Sequence, residues 1–310
     1  GSTAQAHSSF EKGAGLFPES AALCLNLAHT AYELGKYAQA GRMFEKAHQL
    51  SSPPRSSDLL YQAGASFYQA GDLKQAAAIL KQLPLDEGKK DMADGLQNRG
   101  GLLIQVYMDL KDWDAAEQAA NHFTAQNPLD SGRWKLLAHI RLEQKNFRTA
   151  AAALEIAYQI QKPARTELEE LANLYLHINI PAKALRIFEQ IFGPDPGPDQ
   201  CENLAQVAAQ AGHVEKAIGY LDRALAQKPL PKYHLEKGKL FYTRGEWARA
   251  IDHFSTCLRM APDEYLAALM LGYCYLESRQ EPSARTAFLK AAASEKYKPL
   301  ALSALAALPE

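Results

Sequence analysis

Eight alanines recur in register along this chain of 310 residues, and their spacing limits the possible folds more than any other feature. They are Ala40, Ala76, Ala116, Ala150, Ala184, Ala217, Ala250 and Ala284, separated by 36, 40, 34, 34, 33, 33 and 34 residues. Twelve residues before each stands Ala28, Gly64, Ile104, Ala138, Ala172, Ala205, Gly238 or Gly272, small in seven of eight cases. Four residues after each stands Phe44, Leu80, Ala120, Leu154, Phe188, Leu221, Phe254 or Phe288. A fixed period of this length marks an architecture in which each repeat is one supersecondary unit and neighbours stack. Alanine is abundant, 53 residues of 310, but abundance alone does not place eight of them in register. So much alanine favours close-packed helices, and no alternating Val/Ile/Thr pattern argues for strands.

Each repeat reads as two helices of about 13 residues, roughly 20 Å long. Small residues at the eighth and twentieth positions let the two approach closely. Tyr107, Tyr175, Phe241 and Tyr275 fill the space beside them. Gly35, Gly71, Gly212 and Gly245 suit the turn between the helices. Pro128, Pro229 and Pro262 stop second helices, while Pro181 and Pro282 fall near helix starts, where proline is tolerated. This pattern resembles the tetratricopeptide repeat (TPR) family, whose unit is about 34 residues. The resemblance implies an all-α, right-handed superhelical solenoid of stacked antiparallel helix pairs. Length alone would suggest about two globular domains; the repeat replaces them with one array. Its expected units are 21–54, 57–90, 97–130, 131–164, 165–198, 198–231, 231–264 and 265–298. Residues 1–20 match the second half of a repeat through Ala6, Phe10, Gly13 and Pro18, and Gly1 and Ser2 read as the scar of a removed tag. Residues 299–310 are expected to form a capping helix, with Leu302, Leu305 and Leu308 closing the last groove. Two irregularities interrupt the period. Residues 83–97 hold about six extra residues, read as a solvated loop, with an extended helix end as the alternative. The Gly193–Pro198 run is read as a stiff non-helical connector between the fifth and sixth units.

Charge excludes some functions. Lys and Arg number 34 against 35 Asp and Glu, a net charge of −1, so nucleic-acid binding is not expected. The longest stretches without Asp, Glu, Lys or Arg, 20–32 and 59–71, are 13 residues each, too short to span a bilayer. Cys24, Cys201, Cys257 and Cys274 form no Cys-x-x-Cys pair and read as buried free thiols, a Cys257–Cys274 disulfide being the alternative in an oxidising compartment. No phosphate loop, nucleophile elbow or His-Glu-x-x-His pair is present, so no enzyme, cofactor or metal site is expected. His139 and His177 would need Glu143 or Asn173 to bind a metal; polar groove residues are the stronger reading.

The first helices of such an array line a concave groove. Its expected contact residues are Asn26, His29, Tyr32, Tyr61, Tyr68, Gln105, Lys135, His139, Asn173, His177, Lys239, Tyr242 and Tyr273, with Asn98 on the same stripe. Tyrosine, histidine, asparagine and glutamine combine flat contact area with hydrogen-bonding capacity, which suits an extended peptide, a helix or another protein. TPR domains that hold acidic chaperone tails use a lysine–asparagine pair at the fifth and ninth positions. Here Lys135 is followed by His139, and Asn173 follows Glu169, so that clamp is absent. A further resemblance, through Glu170–Arg186 and Ala287–Ala293, is to periplasmic TPR proteins encoded beside TonB-type systems. It implies the periplasm of a Gram-negative bacterium, with the cytoplasm as alternative. The function expected is a non-enzymatic scaffold or adaptor in the assembly of a bacterial multiprotein complex. The rival expectation is a scaffold that self-assembles through its terminal repeats.

Overall fold

The computed structural model describes residues 1–52, 57–83 and 99–308. The chain divides into two compact units, Gly1–Pro163 and Ala164–Glu310. This division lies within one residue of the boundary expected between units 131–164 and 165–198. It falls between the fourth and fifth repeats, where Gln161 and Ala164 are both extended and flank Pro163.

Among the described residues the first unit holds α1 (Ser2–Leu16) and four helix pairs. The pairs are α2 (Ala21–Glu33) with α3 (Tyr37–Leu50), α4 (Ser57–Gln69) with α5 (Leu73–Leu80), α6 (Arg99–Asp109) with α7 (Trp113–Gln126), and α8 (Ser131–Glu143) with α9 (Phe147–Ile160). The second unit holds four more pairs: α10 (Arg165–His177) with α11 (Pro181–Phe192), α12 (Pro198–Gln210) with α13 (Val214–Gln227), α14 (Pro231–Thr243) with α15 (Trp247–Met260), and α16 (Tyr265–Glu277) with α17 (Glu281–Ala291). A last helix, α18 (Lys298–Ala306), packs on α17. No strand occurs among the described residues. The 83–97 insertion, from residue 84 on, and Asn98 lie outside the described residues.

All eight register alanines are 0% exposed. The reason for small residues twelve positions earlier is steric. A Cβ placed on Gly64 would lie 2.5 Å from Leu80, and on Gly238 or Gly272 it would lie 2.5 Å from Phe254 or Phe288. The third pair reverses the arrangement: Ile104 is fully buried at the usually small position and Ala120 replaces the usual large residue, both within one core cluster. Volume is conserved by exchanging the large and small members across the helix contact.

Every pair turns through the same device. Gly35, Gly71, Gly212 and Gly245 have φ between 72° and 76°. Lys111, Lys145, Asn179 and Arg279 occupy the same turn position with φ of 57° to 61°. In each turn this residue's N–H bonds three residues back and the next N–H bonds five residues back, as in Gly35 to Tyr32 O (3.0 Å) and Lys36 to Ala31 O (2.8 Å). Those two bonds satisfy carbonyls that the ending helix leaves open. Asp72, Asp112 and Asp130 accept backbone N–H bonds at the starts of α5, α7 and α8.

The terminal segments and the connector have specific anchors. His7 is buried in α1: Lys36 Nζ donates to its Nε2 (3.0 Å), which leaves Nδ1–H to donate to Thr30 Oγ1 (3.3 Å). The Gly193–Pro198 run is non-helical through Gly197, while Pro198 is already the first residue of α12. Arg223 and Gln227 of α13 donate to the carbonyls of Pro194 (2.6 Å) and Pro196 (3.0 Å) and hold the connector in place. At the C-terminus, Leu302 does not close the end as expected; it is 49% exposed. The packed residues are instead Ala301 and Leu305, four apart on one face of α18, and Leu308 just beyond the helix. All four cysteines are buried and none is in a disulfide, Cys257 and Cys274 included.

Candidate functional site

The first unit carries a cleft of about 620 Å³ on the faces of α2, α4 and α6. It is lined by His29 and Tyr32 of α2, Phe44 of α3, Tyr61, Gln62, Ala65, Ser66, Tyr68 and Gln69 of α4, and Leu102 of α6. Four of the residues expected from sequence therefore converge: His29, Tyr32, Tyr61 and Tyr68. They belong to consecutive first helices, whose shared period presents equivalent positions side by side.

The lining of the cleft mixes apolar, aromatic and uncharged polar side chains. His29 meets Phe44 edge-on, with centroids 5.1 Å apart. Tyr32 packs edge-on against Tyr37 at 5.2 Å while 42% of it remains exposed. Ser66 is fully buried and donates to Gln62 O (2.7 Å). The side-chain oxygen of Gln62 is buried and accepts no hydrogen bond. Tyr68 Oη donates to Asp109 Oδ2 (2.8 Å), and Gln105 Nε2 donates to Asp109 Oδ1 (2.8 Å). The hydrogen bond to Asp109, helped by burial and by the carboxylate's charge, raises the Tyr68 phenol above its ordinary range. Tyr68 therefore stays a neutral donor at any physiological pH.

Sequence reasoning missed Phe44, Gln62, Ala65, Ser66, Gln69, Leu102 and Asp109. For two of them a signal was available: Gln69 and Asp109 occupy the thirteenth position of their units, an inner-face position in the repeat. Phe44 comes from a second helix, α3, where it is almost fully buried.

The remaining expected residues stand elsewhere. Asn26 is exposed on α2 and lines no part of the cleft. On α8, His139 is exposed and Lys135 Nζ lies 5.7 Å from the Tyr158 ring centre. In the second unit Asn173 and His177 are exposed on α10, and Lys239 is paired with Glu236 (2.7 Å). Tyr242 packs edge-on against Trp247 and Tyr273 against Phe288, both at 5.1 Å, so these rings also serve the core. Among the described residues no group of three or more His, Cys, Asp or Glu side chains is placed to hold a metal.

The second unit contains a separate polar cluster between α14 and α15. His234 Nδ1 and His253 Nδ1 are 3.0 Å apart, and His253 stacks on Phe241 with 8° between the rings. Beside them the buried Lys237 pairs with Asp222 (2.5 Å). Burial first, then the charges of Lys237 and His234, push the His253 imidazole down to about 4. His234 is lowered too, again mainly by burial.

Comparison with known proteins identifies the repeat. Sequence models of the tetratricopeptide repeat match residues 31–100, 202–256 and 235–299, together more than half of the chain. The BBSome complex member BBS4 homolog of Drosophila melanogaster is 22% identical over 262 residues, 81% of this chain and 53% of that protein. The chain thus spans about half the length of the curated relative it matches. Among solved structures, YrrB, described as a TPR protein with an unusual peptide-binding site, is 20% identical; the match covers 61% of this chain and 98% of that one, with a TM-score of 0.43. The C-terminal part of a TPR repeat-containing protein from Cytophaga hutchinsonii is 13% identical, covering 79% of this chain and 99% of its own, with a TM-score of 0.44.

Proposed function

From the premise that this chain belongs to the tetratricopeptide-repeat proteins, we propose that it acts as a non-catalytic scaffold that holds a peptide, helix or partner protein on its first-helix faces. The observation that carries this reading is the cleft on α2, α4 and α6. Its volume and its mixture of aromatic side chains and few polar groups are those of a ligand-binding site. Rigid paired helices hold the lining residues in place, so little ordering is needed on binding. The test is display of a random peptide library against the intact protein and against a Tyr61→Ala/Tyr68→Ala variant. Peptides retained by the first and lost by the second support the reading, provided both proteins have the same helicity. Equal retention by both places binding elsewhere.

The same proposal extends to the assembly of a bacterial multiprotein complex and to a periplasmic setting, on the resemblance carried by Glu170–Arg186. Fractionation of the source cells tests the compartment directly. A second reading, self-association, is favoured by the leucines left uncovered on α17 and α18: Leu289, Leu300 and Leu302 are 58%, 54% and 49% exposed. Under it, light scattering shows a mass that rises with concentration and falls back to the monomer in a Leu300→Lys/Leu302→Lys variant.

A further inference from the structure

We propose that the notch Ala65 leaves on α4 receives an aromatic side chain, a tryptophan, phenylalanine or tyrosine projecting from a partner segment. This rests on the reading of that face as a binding surface and specifies the chemistry of its ligand. The notch follows from one small residue. The position eleven residues before each register alanine holds histidine, glutamine, asparagine, lysine or tyrosine in seven repeats and alanine in one, at Ala65. Where the other first helices carry a side chain that reaches outward, α4 has a single methyl group. Ala65 lines the cleft, with Tyr61 one turn before it and Tyr68 one turn after it on the same face of α4. His29, the equivalent residue of α2, also lines it and stands edge-on to the buried Phe44.

Ring content selects the ligand. A helix rises about 1.5 Å per residue, so a ring seated over Ala65 lies about 4.5–6 Å along the axis from Tyr61 and from Tyr68, the range in which aromatic rings pair. Such pairs use ring surface alone, and Tyr68 keeps its hydroxyl on Asp109 at 2.8 Å. Charge selects in the same direction. The two longest stretches of the chain without Asp, Glu, Lys or Arg, 20–32 and 59–71, hold all the lining residues of α2 and α4, eight of the ten given for the cleft. A carboxylate, ammonium or guanidinium seated on Ala65 would give up water against two uncharged helix walls. An aliphatic side chain would fill the notch but forgo the pairing with the rings. His29, Tyr32 and Gln69 are exposed and offer donors and acceptors to the backbone of the segment that carries the ring.

The experiment uses the intact protein and a random peptide library displayed on phage, counter-selected on an Ala65→Leu variant, in which the added side chain fills the notch. Ala65 is partly exposed and leucine suits a helix, so the fold is expected to be kept; Ala65→Gln, which introduces the residue type of Gln105 and Gln206, is a second variant for the same purpose. Peptides lost on both variants are expected to carry a tryptophan, phenylalanine or tyrosine. In a synthetic peptide, replacing that residue by leucine is expected to weaken binding to the wild-type protein about 3- to 10-fold, and replacing it by alanine about 30-fold or more. If peptides that depend on Ala65 carry no aromatic residue, or the leucine form binds as well as the aromatic one, the proposal falls and the binding-face reading stands. The same holds if peptides depend on Tyr61 and Tyr68 but bind Ala65→Leu as well as the wild type. If no peptide depends on any of the three residues, the binding-face reading falls and takes the proposal with it. The leucine comparison uses only wild-type protein, so it does not depend on any variant folding.

Discussion

The exchange of Ile104 and Ala120 shows how a single residue position acts in this chain. Seven pairs put a small residue on the first helix against a larger one on the second, and the third pair does the reverse, with both residues buried. Ile104→Ala alone should therefore leave a cavity and cost about 2–4 kcal/mol. Adding Ala120→Leu should recover more than half of that loss, since the pair then matches its neighbours. Urea midpoints of the two variants check this; equal midpoints would show that the two side chains do not share a contact. The turns make a second argument at this scale. Lys111, Lys145 and Arg279 are exposed and hold a left-handed backbone that strains any residue with a Cβ. Replacing each with glycine should stabilise by about 0.5–1 kcal/mol, the relief of strain exceeding the added freedom of the unfolded chain. Gly35→Ala should do the opposite by about 1 kcal/mol, although nothing lies within 4 Å of the new Cβ. Glycine at four turns was legible in the sequence. The other four turns were not, because the two hydrogen bonds of the cap hold the same backbone shape without it.

At the scale of elements, the α14–α15 pair couples stability to pH. His253 titrates at about 4 in the folded chain and near 6.5 when unfolded. The unfolded state therefore binds more protons between those values, and stability rises with pH across that window. It is fully present above about pH 6.5 and is lost as pH falls toward 4. Because the imidazole is partly open to solvent, we expect the loss to be on the order of 1–2 kcal/mol rather than the full equivalent of the shift. The shifted His234 acts in the same direction. Melting temperatures from pH 7 to pH 4.5 should fall less for His253→Phe than for the wild type. Parallel curves would assign the acid sensitivity to other groups. Sequence reasoning did not find this cluster, since His234 and His253 are 19 residues apart and meet only once α15 folds back on α14. It did find the helices themselves, because each is announced locally by capping residues, prolines and alanine spacing.

For the whole molecule, the consequence of repeat architecture is that each pair contacts only its neighbours. Ala217 is fully buried between α12 and α13, so Ala217→Arg should overpack and unfold repeats of the second unit. Hydrogen exchange should then lose protection within 164–310 and keep it within 1–163, the two compact units. Loss of protection in both would mean that the chain unfolds as one cooperative body. The sequence by itself determined the all-α class, the eight helix pairs and the buried alanines, because all three follow from a period of about 34 residues and from contacts close along the chain. Tertiary structure alone decided the division at Pro163, the face of α18 that packs, and which inner-face residues meet. Tyr32, Tyr61 and Tyr68 share a cleft while His139, on the same helical stripe, does not, and Asn26, beside that stripe, lines no part of it. The stripe records which way a side chain points. Whether neighbours leave a space before it depends on the sizes of side chains brought in from other helices, Phe44 and Leu102 here, and on the carboxylate of Asp109 that holds Tyr68 in place.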